Sequence, residues 1–439
     1  MRVMVIGSGG REHAICDAFS RSDRLTRLFC APGNAGIAQV AECVDIKADD
    51  ITRLAEFAES ESVDLTFVGG EGPLALGVTD EFESRGLKIV GASKSAARLE
   101  SSKSFAKEFM SRHGIPTARF HTALSPGEAI ETLEAGHFGA ATEPVVVKAD
   151  GLAAGKGVVV ATDRSEAIAA CNELASLVGA DAAEKIVLEE FLEGKEVSLI
   201  MFADGTDFAL MPPVRDHKRV GEGDTGPNTG GMGTVTDANL LTAAQLQSII
   251  KDIIEPTLNG CIDDGFRFRG ILFLGLMMTD GGAKVLEYNV RFGDPETQSI
   301  MVRLETDLVA ICEAMINGGL NDLEISWREG NSACVVLASE GYPQKPRTGD
   351  VITGIEKASD IKNVTVFHAG TKMYGQAADA STPSSSSPIP RSPSFATAGG
   401  RVLGVTATGN TLDEALATAY KAVESISWRG MQYRRDIGK

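Results

Sequence analysis

Strand and helix alternate through the first hundred residues, and this limits the fold more than any other feature of the chain. Residues 2–6 form an apolar, β-rich run that ends in the glycine turn Gly7-Ser8-Gly9-Gly10, and residues 11–22 then read as a helix. Residues 27–31, 65–68 and 88–90 are further short strands. Residues 50–60 are amphipathic, with Ile51, Leu54, Ala55 and Ala58 on one face. Alternation of this kind implies a parallel sheet covered by helices. Its first strand–turn–helix is then the natural place for a ligand.

Composition narrows the class of partner. The 439 residues suffice for roughly two to four domains. Hydrophobic residues make up 43% and charged residues 23%, a globular balance. A formal net charge of −18 argues against a nucleic-acid partner, which needs a basic face. It leaves room for small anionic substrates held in a local cationic pocket. The apolar run at the N-terminus is too short for a secretory signal. No run approaches the roughly 18 apolar residues of a membrane span. The seven cysteines are scattered without a CxxC pair, and Cys16, Cys171, Cys312 and Cys334 sit in apolar stretches. Reduced thiols in a cytoplasmic protein are expected.

Beyond residue 100 the pattern changes. A helix over 102–113 is stopped by Gly114 and Pro116. Residues 144–148, 158–162, 185–190 and 196–202 are strand candidates, and 242–264 is a long helical stretch. Strands 271–278 and 284–290 are joined by the turn Asp280-Gly281-Gly282. The tail adds strands 364–369 and 401–408 and a last helix, 412–425. From about 376 to 397 serine and proline dominate, which reads as a disordered insertion in a hairpin. The expected division is an N-terminal Rossmann-like α/β domain over 1–101, a central α+β domain of two lobes over 102–325, and a small β-rich C-terminal domain over 326–439.

Five segments carry chemistry. In GSGGREH, backbone N–H groups at a helix start can hold a phosphate, although a plain tight turn reads as well. A dinucleotide fingerprint would want glycine where Glu12 stands and an acidic end to the second strand, which instead ends in Cys30-Ala31-Pro32-Gly33-Asn34. VVVKADGLAAGKGVVV runs from strand to strand, one residue short of a P-loop and lacking its hydroxyl residue. It reads as a glycine flap over 148–157 with Lys148 at its base. In VLEEFLEGKEVS, Phe191 and Leu192 can cover an adenine face and Glu196 can accept from a ribose; a charged turn is the plainer reading. The stretch from Asp216 to Gly233, DHKR followed by DTGPNTGGMG, is long and irregular and suits a small polar ligand. His217 within it reads as a solvated loop histidine. In VLEYNVRFGDPETQ, strand alternation puts Glu287, Asn289 and Arg291 on one face, with Leu286, Tyr288 and Val290 against the core. A carboxylate and an amide oxygen two residues apart suit Mg²⁺ on ATP phosphates, and Arg291 can neutralise a transferring phosphoryl group.

Together these segments resemble the ATP-grasp ligases. GSGGREHA, PGNAG, KADGLAAGKGV, DHKR, GDTGPNTGGMG and RFGDPETQ resemble, within them, the phosphoribosylamine–glycine ligase family. The likeness runs from residue 1 to about 375 and resumes at Gly399. It implies an ATP-grasp central domain and ligation of glycine to 5-phosphoribosylamine in purine biosynthesis, through glycyl phosphate. It further implies Lys103 and Lys148 on the ATP phosphates, Glu189, Phe191 and Leu192 on adenine, and Glu196 on the ribose. Glu287 and Asn289 would bind Mg²⁺, with Mn²⁺ as an alternative, and Arg291 the reacting phosphoryl group. Asp216, Asn228, Thr229, Gly230, Gly231, Met232 and Asp294 would meet the substrates, with Gly9, Gly10 and Arg11 near the sugar phosphate. Arg291, Lys148 and Asp216 are the candidate catalytic residues. A monofunctional monomer or weak homodimer is expected. A sister ATP-grasp ligase, an NAD-dependent oxidoreductase and an inactive binding protein are the rival readings; the last should have lost Glu287, Asn289 or Lys148, and none is missing.

Overall fold

The computed structural model describes residues 1–153, 157–179, 182–374 and 394–439. The flap residues 154–156 and most of the Ser/Pro-rich segment lie outside them. Strands β1 (Arg2–Gly7), β2 (Arg27–Pro32), β3 (Glu42–Cys43), β4 (Leu65–Val68) and β5 (Ile89–Val90) pair in the order β3-β2-β1-β4-β5, all parallel. The sheet reverses between β2 and β4 at β1, so the glycine turn after β1 sits at the topological switch point. Burial explains the apolar runs: Val3–Ile6 are fully enclosed, between the helix Gly10–Ser20 and the core that includes the helix Ile51–Ser60.

The middle of the chain makes two lobes. The smaller is the antiparallel sheet of β6 (Phe120–Ala123), β7 (Val145–Ala149), β8 (Val158–Ala161) and β9 (Ile186–Glu190), ordered β6-β9-β7-β8. Its apolar face packs on the helices Pro126–Glu134 and Arg164–Val178. The larger lobe contains β10 (Lys195–Asp204), β11 (Phe208–Leu210), β12 (Val214–Asp216), β15 (Gly233–Thr236), β16 (Arg269–Thr279) and β17 (Gly282–Asn289). This sheet does not stop at the expected boundary near residue 326. β15 pairs with β18 (Asn331–Ala338), which continues to β23 (Arg401–Gly409) and β20 (Val364–His368). The C-terminal region therefore shares one continuous sheet with the larger lobe, and its placement relative to the cleft is fixed by backbone hydrogen bonds.

Several local expectations are corrected. The stretch from Asp216 to Gly233 is not structureless. β13 (Arg219–Gly221) and β14 (Thr225–Asn228) form a short hairpin, turned by Gly223 and Asp224 at positive φ. The 242–264 stretch is a helix over Ala243–Ile249 and a second over Glu255–Asp263, joined by a wide π-turn at Ile250–Ile254, just ahead of Pro256. Residues 395–397, expected inside the insertion, form β22 (Phe395–Thr397). It pairs with β19 (Val351–Ile352) and β21 (Thr371–Met373), so the insertion does join two paired strands. All seven cysteines are free, and Cys43 alone is exposed.

Candidate active site

A cleft of about 1410 Å³ opens between the lobes and the N-terminal sheet. One wall begins at the helix Lys103–Arg112. Ser102 caps that helix, and its hydroxyl and the Ser104 N–H both reach the Asp150 carboxylate, the latter at 2.7 Å. This ties the helix start to the end of β7, so Lys103 and Lys148 line the same cleft. Lys148 is only 6% exposed; its Nζ lies 2.7 Å from Glu189 Oε1 and donates to the Leu286 carbonyl. Glu189 Oε2 lies 2.8 Å from Lys107 Nζ, which also donates to Thr117 Oγ1. One carboxylate thus balances two buried ammonium groups. Burial, and repulsion from Lys148, pull the Lys107 pKa down to about 8 against the attraction of Glu189. The Lys148 contact is an ion pair off hydrogen-bond alignment, so Glu189 Oε1 keeps an acceptor site. Sequence reading passed over Lys107; its position four residues after Lys103, on the same helix face, was the available signal.

The strand β17 carries a correction that matters for the site. Gly275 faces Glu287 but Leu276 faces Val285, so Leu286 is the extra residue of a β-bulge. Val285, Tyr288 and Val290 are buried, while Leu286 is turned to the cleft and joins Ala118, Leu192 and Met277 in a small apolar patch. Phe191, 40% exposed, stands at the edge. Leu286 was missed because the bulge breaks the two-residue period, and Met277, on the facing strand, was not singled out. Glu287 and Asn289 both line the cleft. Burial would raise the Glu287 pKa, but Lys218, Lys148, Lys103 and Arg291 together hold it below the usual glutamate value, so it is ionised. Glu196 is paired with Lys218 at 2.9 Å across the mouth.

Arg291 lies just past the end of β17 rather than on it, yet it stays beside Asn289. Its Nη2 donates to Asn289 Oδ1 at 3.0 Å and pairs with Glu100, and its Nε donates to Glu71 at 3.1 Å. Burial opposes ionisation of Glu71, but Arg291 and Arg11 outweigh it and bring its pKa to about 2. Glu71 and Glu100 were not singled out from sequence. Glu71 follows β4 at the switch edge of the parallel sheet, which was the clue.

The other wall is assembled from distant segments. Asp216 accepts the His217 N–H at 2.7 Å, and burial together with the Glu296 carboxylate pushes its pKa up. Thr229 donates twice to the Lys218 carbonyl and receives the Gly231 N–H, which folds 228–231 over Asp216. Gly231 has φ +104, and a Cβ there would lie 2.8 Å from Asp216 Oδ1, so only glycine fits. Asp294 accepts Gln298 at 2.8 Å and Arg401 at 3.1 Å; Arg401 and Arg11 hold its pKa down against burial. Arg11, Asp216, Asn228, Thr229, Gly230 and Asp294 line the cleft.

Four expected residues stand behind that wall instead. Met232 is fully buried. Gly231 packs between Asp216 and Pro295, and Gly10 packs against Gln298. The Gly9 N–H is taken by Glu12 Oε2 at 2.5 Å. Glu12 folds back into the turn so closely that a Cβ at Gly7 or Gly69 would meet it within 2.6 Å. The turn after β1 is therefore filled by a carboxylate, which also removes the place a dinucleotide pyrophosphate would need. His217 is not solvated either: it is 5% exposed and its Nε2 accepts the Gly438 N–H.

Three family models match the chain: Phosphoribosylglycinamide synthetase, N domain, over residues 1–100; its ATP-grasp (A) domain over 101–297; and its C domain over 332–439. The phosphoribosylamine–glycine ligase of Chlorobaculum tepidum is 44% identical over 442 residues, covering 100% of this chain and 99% of that one. That of Xanthomonas campestris pv. campestris is 46% identical over 444 residues, covering 100% and 97%. The crystal structure of phosphoribosylamine–glycine ligase from Thermotoga maritima superposes with a TM-score of 0.82 at 34% identity, covering 100% of both chains. N5-carboxyaminoimidazole ribonucleotide synthetase from the same organism shares the fold, with a TM-score of 0.60 at 17% identity, covering 97% of this chain and 99% of that one. The chain belongs to the phosphoribosylamine–glycine ligase family, with the N, ATP-grasp and C domains of phosphoribosylglycinamide synthetase.

Proposed function

We propose that this chain ligates glycine to 5-phosphoribosylamine with ATP, giving glycinamide ribonucleotide, ADP and phosphate, the reaction for which its relatives are named. The observation that carries this reading is the position of Arg291. It is held by Glu71, Glu100 and Asn289 where the lysine-lined wall meets the Asp216–Asp294 wall. A phosphoryl group passing from one wall to the other would cross its guanidinium.

In this reading Lys103 and Lys148 meet the ATP phosphates. Leu192, Leu286 and Met277 cover the adenine, with Phe191 at the edge. Glu189 Oε1 accepts the adenine amino group, and Glu196 the ribose hydroxyls. Glu287, ionised, and the Asn289 amide oxygen form a hard-oxygen pair that fits Mg²⁺, with Mn²⁺ as an alternative. Bound there, the ion would neutralise charge on the phosphates. Glycine lies against Asp216 and residues 228–230, and the sugar phosphate toward Arg11.

A glycine carboxylate oxygen attacks the γ-phosphorus and ADP leaves. The phosphoribosylamine nitrogen then attacks the acyl carbon, losing its proton toward Asp216, whose raised pKa suits a base near neutrality. Phosphate leaves with the carboxylate oxygen that had attacked. No enzyme nucleophile is needed; catalysis is positioning and charge neutralisation. A cytoplasmic monomer or weak homodimer completes the reading. Among the described residues no helix is long and apolar enough to cross a membrane. The test is isotopic: glycine labelled with ¹⁸O in its carboxylate should deliver one label to the released phosphate. Unlabelled phosphate would exclude the acyl phosphate route.

A further inference from the structure

Arg401 opens β23, where the strand ladder sets it opposite Ala338, far in sequence from every segment read as a substrate site. It nevertheless lines the cleft. One guanidinium nitrogen, Nη1, donates to the Gly230 carbonyl and, at 2.5 Å, to the Asp294 carbonyl, while Nη2 pairs with the Asp294 carboxylate at 3.1 Å. The other backbone group of Gly230, its N–H, donates to the Tyr342 hydroxyl at 3.1 Å. Both polar backbone atoms of that loop residue are therefore held by side chains from the C-terminal region. The turn bearing Tyr342 is itself fastened: Gln432 donates to the Ser339 and Tyr342 carbonyls, and the Ser339 N–H and hydroxyl reach Gly400 and Gly399. Tyr342 and Arg401 thus belong to one small rigid unit.

Resting on the reading of the acceptor wall given above, we propose that Arg401 and Tyr342 are positioning residues. They clamp Gly230 and lock the 228–231 loop in register with Asp294, so that the C-terminal region sets the geometry of the glycine and phosphoribosylamine site without touching the nucleotide. A planar guanidinium can hold two carbonyls and a carboxylate at once, which a lysine ammonium cannot do with the same geometry. Thr229 and Met232 fasten the two ends of the loop to Lys218 and His217, and Gly230 between them is held by the Arg401 and Tyr342 side chains.

The experiment compares Arg401→Ala, Arg401→Lys and Tyr342→Phe with the wild type. KM is measured for each substrate, and binding of the non-hydrolysable analogue AMP-PNP with Mg²⁺ is titrated. The expected result is a rise of about tenfold or more in KM for glycine or phosphoribosylamine in Arg401→Ala, a smaller rise of a few-fold in Tyr342→Phe, and nucleotide affinity within about twofold of wild type. Added guanidinium ion should recover part of the loss in Arg401→Ala, and Arg401→Lys should recover little. Unchanged acceptor KM values in a folded Arg401→Ala would overturn the proposal. So would a parallel loss of AMP-PNP affinity, or the absence of guanidinium rescue. If Arg401→Ala does not fold, Tyr342→Phe alone decides, since it removes only a hydroxyl. ADP release by the wild type that ignored glycine would instead sink the functional reading, whatever the variants do.

Discussion

The two walls of the cleft solve different physical problems with different materials. The wall proposed to hold the nucleotide is a set of charged side chains delivered by regular elements: Lys103 and Lys107 by a helix, Lys148 and Glu189 by neighbouring strands, Glu287 and Asn289 by one strand face. Charge acts over several ångströms, so a polyphosphate site tolerates modest local error. The opposite wall, proposed for the other two substrates, uses Arg11, Asp216, Gly230 and Asp294, drawn from across the chain; the Arg401 and Tyr342 side chains of the C-terminal region hold Gly230, and Arg401 also holds Asp294. Bringing a small amine and a small carboxylate into line for bond formation needs donors and acceptors placed within tenths of an ångström, even where a sugar phosphate adds charge. The contrast teaches that a charged site can be carried by local sequence strings, while a shape-sensitive one is completed only when distant segments dock.

The largest effect should come from Glu287→Ala. It removes the ionised carboxylate proposed to hold the metal and should lower turnover by about 10³-fold or more, read as ADP release with an unchanged far-UV spectrum. Retained turnover would show that the wall does not depend on that strand face. Next, Lys107→Met leaves Glu189 with one partner instead of two. It should cost about 3 kcal/mol in denaturant unfolding and raise the ATP KM about tenfold, while the glycine KM stays within about twofold. A larger glycine than ATP effect would erase the distinction between the walls.

Acid should weaken the docking that holds the other side. His13 Nδ1 accepts the His368 N–H at 2.8 Å, joining the helix Gly10–Ser20 to β20. Burial, with mutual repulsion acting on His13, lowers their pKa values to about 3 and about 4 from the ordinary 6.5. Both are neutral when folded, and the unfolded chain binds the extra protons. Their stabilising contribution is thus complete above about pH 6.5 and is lost as pH falls toward 4 and 3. Urea unfolding at pH 5 should give about 2–4 kcal/mol less stability than at pH 7.5, with replacement of His13 by Gln flattening the slope. An unchanged slope in that variant would place the acid sensitivity elsewhere. The smallest effect is expected from deleting residues 376–393. Tyr374 N–H donates to the Ser394 carbonyl at 2.7 Å, so the flanking strands already meet and a short turn can replace the segment. Turnover should stay within about twofold; a large loss would bring the segment into the site.

Most of the fold was legible because periodicity is a local property: the enclosed run Val3–Ile6, the amphipathic face of Leu54, Ala55 and Ala58, and the Asp280–Gly282 turn each follow from neighbours in the chain. The Lys103–Arg112 helix, the lysine-bearing strand of Lys148 and the shared face of Glu287 and Asn289 were legible for the same reason. What escaped depends on contacts between distant residues. The bulge that turns Leu286 into the cleft arises from pairing with β16, and the loss of the Gly9 N–H to Glu12 from a side chain folding back. His217 is buried by the last residues of the chain, and Arg401 reaches Gly230 only through a sheet that runs across the expected domain boundary. None of these leaves a periodic trace.

The most direct test of the central claim is ADP release measured with MgATP, glycine and freshly generated 5-phosphoribosylamine, omitting each in turn. Two walls that hand one phosphoryl group across Arg291 predict sustained, multiple-turnover release only when all three are present. Release that ignores glycine or phosphoribosylamine would leave the ATP-grasp fold standing and contradict the assignment of the Asp216–Asp294 wall to these two substrates.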